Sequence, residues 1–210
     1  MFILRSLIYL FGMAGIAHLI SLEGYQLLSD AQYSEHSLTE YLQDGFTLLS
    51  CVLFLIAAKM DERLHMSSTL LACLMAMMFV RESDAFLDAH VFDGAWQLIV
   101  TLIIIYAIVF VWGRIPAAYQ SLKAYSMQPS FGIFVAGIVA VVAFSRMMGR
   151  GSFWQAVMGD SYMRVVKNIV EEGIETFGYS LIVIAAVELT LVCVRLHSKK
   201  KSPYFMAKHA

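Results

Sequence analysis

Six apolar runs divide this chain, at about residues 2–20, 45–58, 64–80, 95–112, 131–145 and 176–194. The hydrocarbon core of a bilayer is about 30 Å thick and an α-helix rises about 1.5 Å per residue, so each run is long enough, or nearly so, to cross as helix. Composition agrees: 60% of residues are hydrophobic and 15% charged, where a soluble domain is nearer half and a quarter. The expected fold is all-α, a polytopic bundle of about six transmembrane helices in one domain over residues 1–196, with a basic tail over 197–210. Membrane lipids are the expected surroundings. A net charge of −1 provides no basic face to neutralise phosphates, which sets nucleic acid aside.

Six crossings place both termini on one side, and the Lys and Arg count chooses it. Arg5, Lys59, Arg63, Arg114, Lys123, Arg195, Lys199, Lys200, Lys201 and Lys208 fall on the side of the termini. Arg81, Arg146, Arg150, Arg164 and Lys167 fall on the other. Ten against five predicts an N-in, C-in, multi-pass protein of the plasma (inner) membrane. Arg5 ahead of an apolar stretch, with Gly15 and Ala17 at cleavage-like spacing, has features of a signal peptide. We read this segment as a retained first helix.

Local signals frame several segments. Asp93 is the expected N-cap of the fourth helix, and Trp96 and Trp112 stand about 24 Å apart along it as interface anchors. Pro116, Pro129 and Pro203 all lie in predicted cytoplasmic segments, so proline breaks no span. Gly132, Ala136, Ala140 and Ala143 form a small-residue stripe suited to close helix packing within the bundle, in a homo-oligomer or in a membrane-protein complex. Residues 152–158 read as a short outer segment lying in the interface. Asp160 or Ser161 is the expected cap of a helix running unbroken into the sixth crossing. Cys51, Cys73 and Cys193 lie in apolar runs without metal or disulfide spacing and read as packing residues.

The charges carry the functional interest. The second, third and fifth runs fall short of the roughly 20 residues of a full crossing, and each is ended on the outer side by charge: Asp44, the pair Arg81 and Glu82, and Arg146. If those helices continue to the surface, charge sits at outer-leaflet depth, where it is costly unless it faces other charge or water. Glu40 and Asp44, Asp84 and Asp88, and Glu171 and Glu175 are acid pairs four residues apart, about 40° around a helix. Glu172 joins the edge of the last face, and His18 and His90 are expected at a similar height. Asp44, Asp84, Asp88, Glu171, Glu175, His18 and His90 are therefore candidate ligands of a divalent metal ion. Glu188, about 10 Å inside the last helix, and Glu82 are candidates for a proton or ion path. Arg5 is the partner of Glu188 by depth.

Each feature has a plainer reading. Ser37 and Glu40 form a capping box. Arg81, Asp84 and Asp88 project within one arc as an intrahelical ion-pair set, and Lys167 pairs with Glu171 four residues on. Arg146 is then a further ion-pair partner, and His18 a hydrogen-bonded packing residue. Glu188 and Glu175 lie about 220° apart around their helix, which disfavours a proton wire along that helix alone.

No serine-hydrolase elbow, P-loop, dinucleotide fingerprint or zinc-protease motif is present. Three functions compete. The first is a carboxylate and histidine cluster binding a cation or protons on an ion or solute transport path. The second is a metal-dependent enzyme acting on a lipid-like substrate. The third is a non-catalytic subunit or scaffold whose charges form an ion-pair network. The first makes the sharpest testable statement.

Overall fold

The computed structural model describes residues 2–30 and 38–200. These form helices joined by short turns, with no strand among the described residues. In chain order they are α1 (Phe2–Asp30), α2 (Leu38–Met60), α3 (His65–Glu82), α4 (Asp84–His90), α5 (Ala95–Val111), α6 (Ile115–Ser126) and α7 (Pro129–Val139). A π-helical turn (Ala140–Phe144) leads into α8 (Ser145–Met148), α9 (Gly151–Met158), a 3-10 turn (Gly159–Ser161) and α10 (Arg164–Lys200).

Ile3–Tyr25, Leu38–Met60, Pro129–Met148 and Arg164–Ser198 are long and apolar enough to cross a membrane, and α4 with α5 makes a fifth despite a 116° bend between them. The protein is thus a multi-pass helical membrane protein with four to five candidate spans, where six runs were expected. The run at 64–80 falls short because α3 opens on His65, Ser67 and Ser68 and closes on Arg81 and Glu82. The run at 95–112 counts only with α4. The Ser37 side of the expected capping box, and the tail from residue 201 on, lie outside the described residues.

Contacts divide the chain into two compact units, Met1–Phe46 with Phe134–Ile184, and Thr47–Ile133 with Ala185–Ala210. In the first, the segment after Phe134 lies against α10 at two glycines. A Cβ on Gly137 would stand 2.7 Å from the Gly178 carbonyl oxygen, and one on Gly178 would stand 2.9 Å from the Gly137 oxygen. Only residues without a side chain allow two backbones this close. The buried face here is Phe134, Gly137, Ala140, Val141 and Ser145. It is not the expected stripe, of which Ala140 alone is buried, while Gly132, Ala136 and Ala143 are exposed. The π-turn inserts one residue into the helix and rotates the turns after it, so that Val141 and Ser145 continue the packed face. On the other side of α10, Gly24 and Ile20 of α1 lie beside Ile169 and Gly173.

In the second unit α3 packs on α5 and α6, and α4 on α5, around Phe54, Leu64, Met75, Tyr125, Leu189 and Cys193. The first turn of α3 has no side-chain cap of its own. Ser121 of α6 supplies one: its Oγ accepts the Ser67 amide at 2.9 Å and donates to Ser67 Oγ at 3.0 Å. Ser67 Oγ in turn donates to the Leu64 carbonyl at 3.1 Å. Thr190 of α10 donates to the Leu53 carbonyl at 3.0 Å. In the turn between α2 and α3, buried Asp61 accepts from the Arg63 amide, Nε and Nη2. That hydrogen bond, and then the Asp61 charge, hold the Arg63 guanidinium above its ordinary pKa.

Two expected caps are corrected. The N-cap of α5 is Gly94 at φ +84°, not Asp93, a left-handed conformation suited to glycine. Asp88 accepts the Gly94 amide at 3.0 Å. Asp160 and Ser161 belong to the 3-10 turn, and α10 begins at Arg164.

Candidate functional site

In the first unit, where α8 faces the first turns of α10, three ion pairs share their residues. Lys167 and Glu171, one turn apart, are joined by a 2.7 Å ion pair from Nζ to Oε2, as their spacing predicts. Arg146 reaches the same helix: Nη1 stands 4.0 Å from Glu171 Oε1 and Nη2 3.5 Å from Glu175 Oε1. Glu171 occupies the space a side chain at position 149 would need, since a Cβ on Gly149 would overlap its carboxylate. A side chain at 149 would displace the Glu171 carboxylate, the end of a flexible side chain, from its present place in the ladder. Glu175, with a side chain 9% exposed, also lies 3.1 Å from the hydroxyl of fully buried Ser145. Lys167, Glu171, Arg146, Glu175 and Ser145 thus run in sequence along one seam, two cations alternating with two acids.

A second polar group in this unit joins α1, α2 and α10. Glu23 of α1 caps the first turn of α2, accepting the Leu38 amide at 2.8 Å, the Thr39 amide at 3.1 Å and the Thr39 hydroxyl at 2.6 Å. This satisfies amides that a helix start leaves without intrahelical partners. Thr39 Oγ1 is also 3.3 Å from Glu172 Oε2. Gln43 donates to Thr176 Oγ1 at 3.0 Å and to the Glu172 carbonyl at 3.3 Å. Asp44, the next residue, is half-buried. His18 is exposed on α1, not packed as its plainer reading expected, because the apolar face of α1 is turned outward: none of its most apolar window is buried.

The second unit holds the remaining candidates. Arg81 pairs with its neighbour Glu82 at 3.0 Å. Asp84 accepts the Ala85 amide at 2.6 Å and Asp88 the Gly94 amide. The intrahelical set expected of Arg81, Asp84 and Asp88 does not form, because α3 ends at Glu82 and α4 begins at Asp84. His90 closes α4, its Nδ1 3.0 Å from the Phe86 carbonyl and its ring stacked on Phe86. Glu188 is half-buried on α10. A groove of about 480 Å³ lined by Leu70, Met77, Ile104, Ile108, Val111 and Trp112 carries no titratable side chain, and so offers no chemistry beyond apolar contact.

The structure therefore brings Glu171, Glu175, Arg146 and Lys167 together. Among the described residues, no group of three or more His, Cys, Asp and Glu is arranged to hold a metal ion. Sequence reasoning missed Glu23, Thr39, Gln43, Ser145 and Thr176. The signal for three of them was present: Gln43, Ser145 and Thr176 are polar residues at the edges of apolar runs, where a buried hydrogen-bonding group needs a partner. No known protein family, curated protein or solved structure matches this chain.

Proposed function

We propose that this protein is a small plasma (inner) membrane protein in which the carboxylates facing Arg146 take up a cation or a proton on an ion or solute transport path. One observation carries the reading: Glu175, a nearly buried acid on a membrane-crossing helix, is shared between a cation and a hydroxyl. Ionisable groups at such depth are costly and characterise ion and proton pathways. A topology with six crossings and both termini inside accompanies the proposal, α3 and α5 each counting as a crossing. Their 18 and 17 residues span about 25–27 Å, against a core of about 30 Å.

Reconstitution into vesicles tests it. An imposed proton or cation gradient should dissipate faster with the protein than with empty vesicles, and Glu175→Gln should abolish the difference. Equal flux in the parent and in a folded Glu175→Gln protein would remove the transport reading. A second reading is favoured by the alternation of Lys167, Glu171, Arg146 and Glu175, which balances charge without any ligand. On that reading the ladder joins α8 to α10 in a non-catalytic subunit, and coupling between Arg146→Gln and Glu175→Gln in a double-mutant cycle appears in stability with no flux.

A further inference from the structure

The π-turn changes the hydrogen-bond count around Glu175. In an α-helix the Ser145 amide would donate to the Val141 carbonyl, four residues back. Here it donates to Ala140, five residues back, which takes from the Val141 oxygen the amide an α-helix would assign to it. The Ser145 hydroxyl donates to that oxygen instead. The same hydroxyl oxygen lies 3.1 Å from Glu175 Oε1. A serine hydroxyl has one proton and two lone pairs. With Glu175 ionised, the Val141 oxygen and Glu175 Oε1 compete for that single proton, and the loser faces a lone pair. With a proton on Oε1, Glu175 donates to Ser145, Ser145 donates to Val141, and both contacts are hydrogen bonds.

Arg146 pulls the other way. Its Nη2 is 3.5 Å from the same Oε1, long for a hydrogen bond but close enough to favour the ionised form. Ser145 and Arg146 are consecutive, directly after the π-turn, so the two states of Glu175 are held by neighbouring residues of one helical segment. We propose that Glu175 binds and releases a proton. The proton-bound form is held by Ser145 and the Val141 carbonyl, and the proton-free form by Arg146. The inference rests on the reading that this site takes up a cation and names that cation as a proton. The step forms or breaks one O–H bond, with the proton exchanged with water.

Among the described residues, the other titratable groups near Glu175 lie as follows, with buried Tyr179 one turn after it on α10. Along α10, Glu171 lies one turn before Glu175 and is held by Lys167, while Glu172 faces Thr39. From α2 come Gln43, which is uncharged, and Asp44 beside it. From α1, Glu23 is engaged by the start of α2, and His18 is exposed.

Infrared titration of the purified full-length protein in detergent tests the proposal without any gradient or substrate. The carbonyl stretch of a protonated carboxyl should appear as pH falls, vanish in Glu175→Gln and shift in frequency in Ser145→Ala. Arg146→Gln, which removes the cation favouring the ionised form, should raise the proton affinity read from this band by about tenfold or more. Arg146→Gln also serves as the deciding variant if Glu175→Gln fails to fold. No band that Glu175→Gln removes at any pH where the protein stays folded, or a band unchanged in both Ser145→Ala and Arg146→Gln, overturns the proposal. A band without flux keeps the proton site and removes the transport reading; flux without a band does the reverse and leaves another cation.

Discussion

Two buried serine seams in this protein differ by one proton. At Ser67 and Ser121 every donor has its own acceptor: amide to hydroxyl, hydroxyl to hydroxyl, hydroxyl to carbonyl. At Ser145 one hydroxyl faces two acceptors, the Val141 carbonyl and the Glu175 carboxylate. Neither neighbourhood is apolar, and both lie where α-helices pack. What separates them is the balance of donors and acceptors, and an unbalanced site is one whose hydrogen bonding changes with protonation. A balanced seam stabilises equally at all pH values where the fold persists.

The largest expected effect concerns what holds the unbalanced seam together. Gly137→Leu or Gly178→Val places a side chain within 3 Å of backbone across the α7–α10 contact. A backbone collision cannot be relieved by a rotamer change, so we expect a loss of about 3 kcal/mol or more, or no folded protein. Thermal unfolding in detergent reads it. Gly132→Ala, at a glycine with open space around it, is the matched control and should change the melting temperature little. A tolerated Gly178→Val would mean that the seam is looser than its geometry implies.

The serines themselves come next. Ser121→Ala leaves the buried Ser67 amide without its acceptor, at a cost of about 1–3 kcal/mol, the same at every pH where the protein stays folded. Ser145→Ala removes two hydrogen bonds when Glu175 carries a proton and one when it does not, so its penalty should be larger at lower pH. Denaturation midpoints for the two variants across the pH range in which the protein stays folded test the contrast directly. A pH-independent Ser145→Ala penalty would make the two seams alike.

These differences were only partly legible in the sequence. All six apolar runs fall on helices, give or take a residue at their ends, because apolarity over that length suits little else in a membrane, yet α1, α2 and α10 extend well past their runs. Helix α10 begins at Arg164, ahead of the run at 176, close to the cap expected at Asp160 or Ser161, and Lys167 pairs with Glu171 four residues on in this charged first part. The π-turn was invisible, since Ala140–Phe144 reads as uniformly apolar and one inserted residue leaves no mark on an apolar run. Glu23 escaped notice because its partners are backbone amides on another helix. Of the acids spaced four residues apart, Glu171 and Glu175 share Arg146, which the spacing alone did not name as their partner. The spacing misled at Asp84 and Asp88, where each carboxylate serves a backbone amide next to a helix break.

A third contrast lies in the ion pairs and should have a smaller effect. Asp61, 2% exposed, holds three donors of Arg63 in the turn between α2 and α3, although the Arg63 side chain is 66% exposed. Removing the acid leaves the turn without its anchor, and Asp61→Ala should cost about 1–2 kcal/mol. Arg63→Gln should cost less than half of that, because the exposed partner is screened by water. Equal losses would assign the stability to the charge pair and not to the backbone amide that Asp61 also accepts.

The smallest effect is expected at Arg81 and Glu82. These are adjacent residues at the end of α3, and the Arg81 side chain is 46% exposed. Solvent offers the guanidinium nearly as much as the carboxylate does, so Arg81→Gln should change stability by less than about 0.5 kcal/mol, and added salt should remove even that. Arg146 is about as exposed, at 49%, yet it bridges two acids of α10, one of them buried. Arg146→Gln should therefore shift the pH dependence of stability, which Arg81→Gln leaves in place. If both arginines prove equally dispensable at every pH, the carboxylates they face are equally indifferent to charge. The distinction between a protonation site at Glu175 and the pair of adjacent residues at Arg81 and Glu82 then disappears.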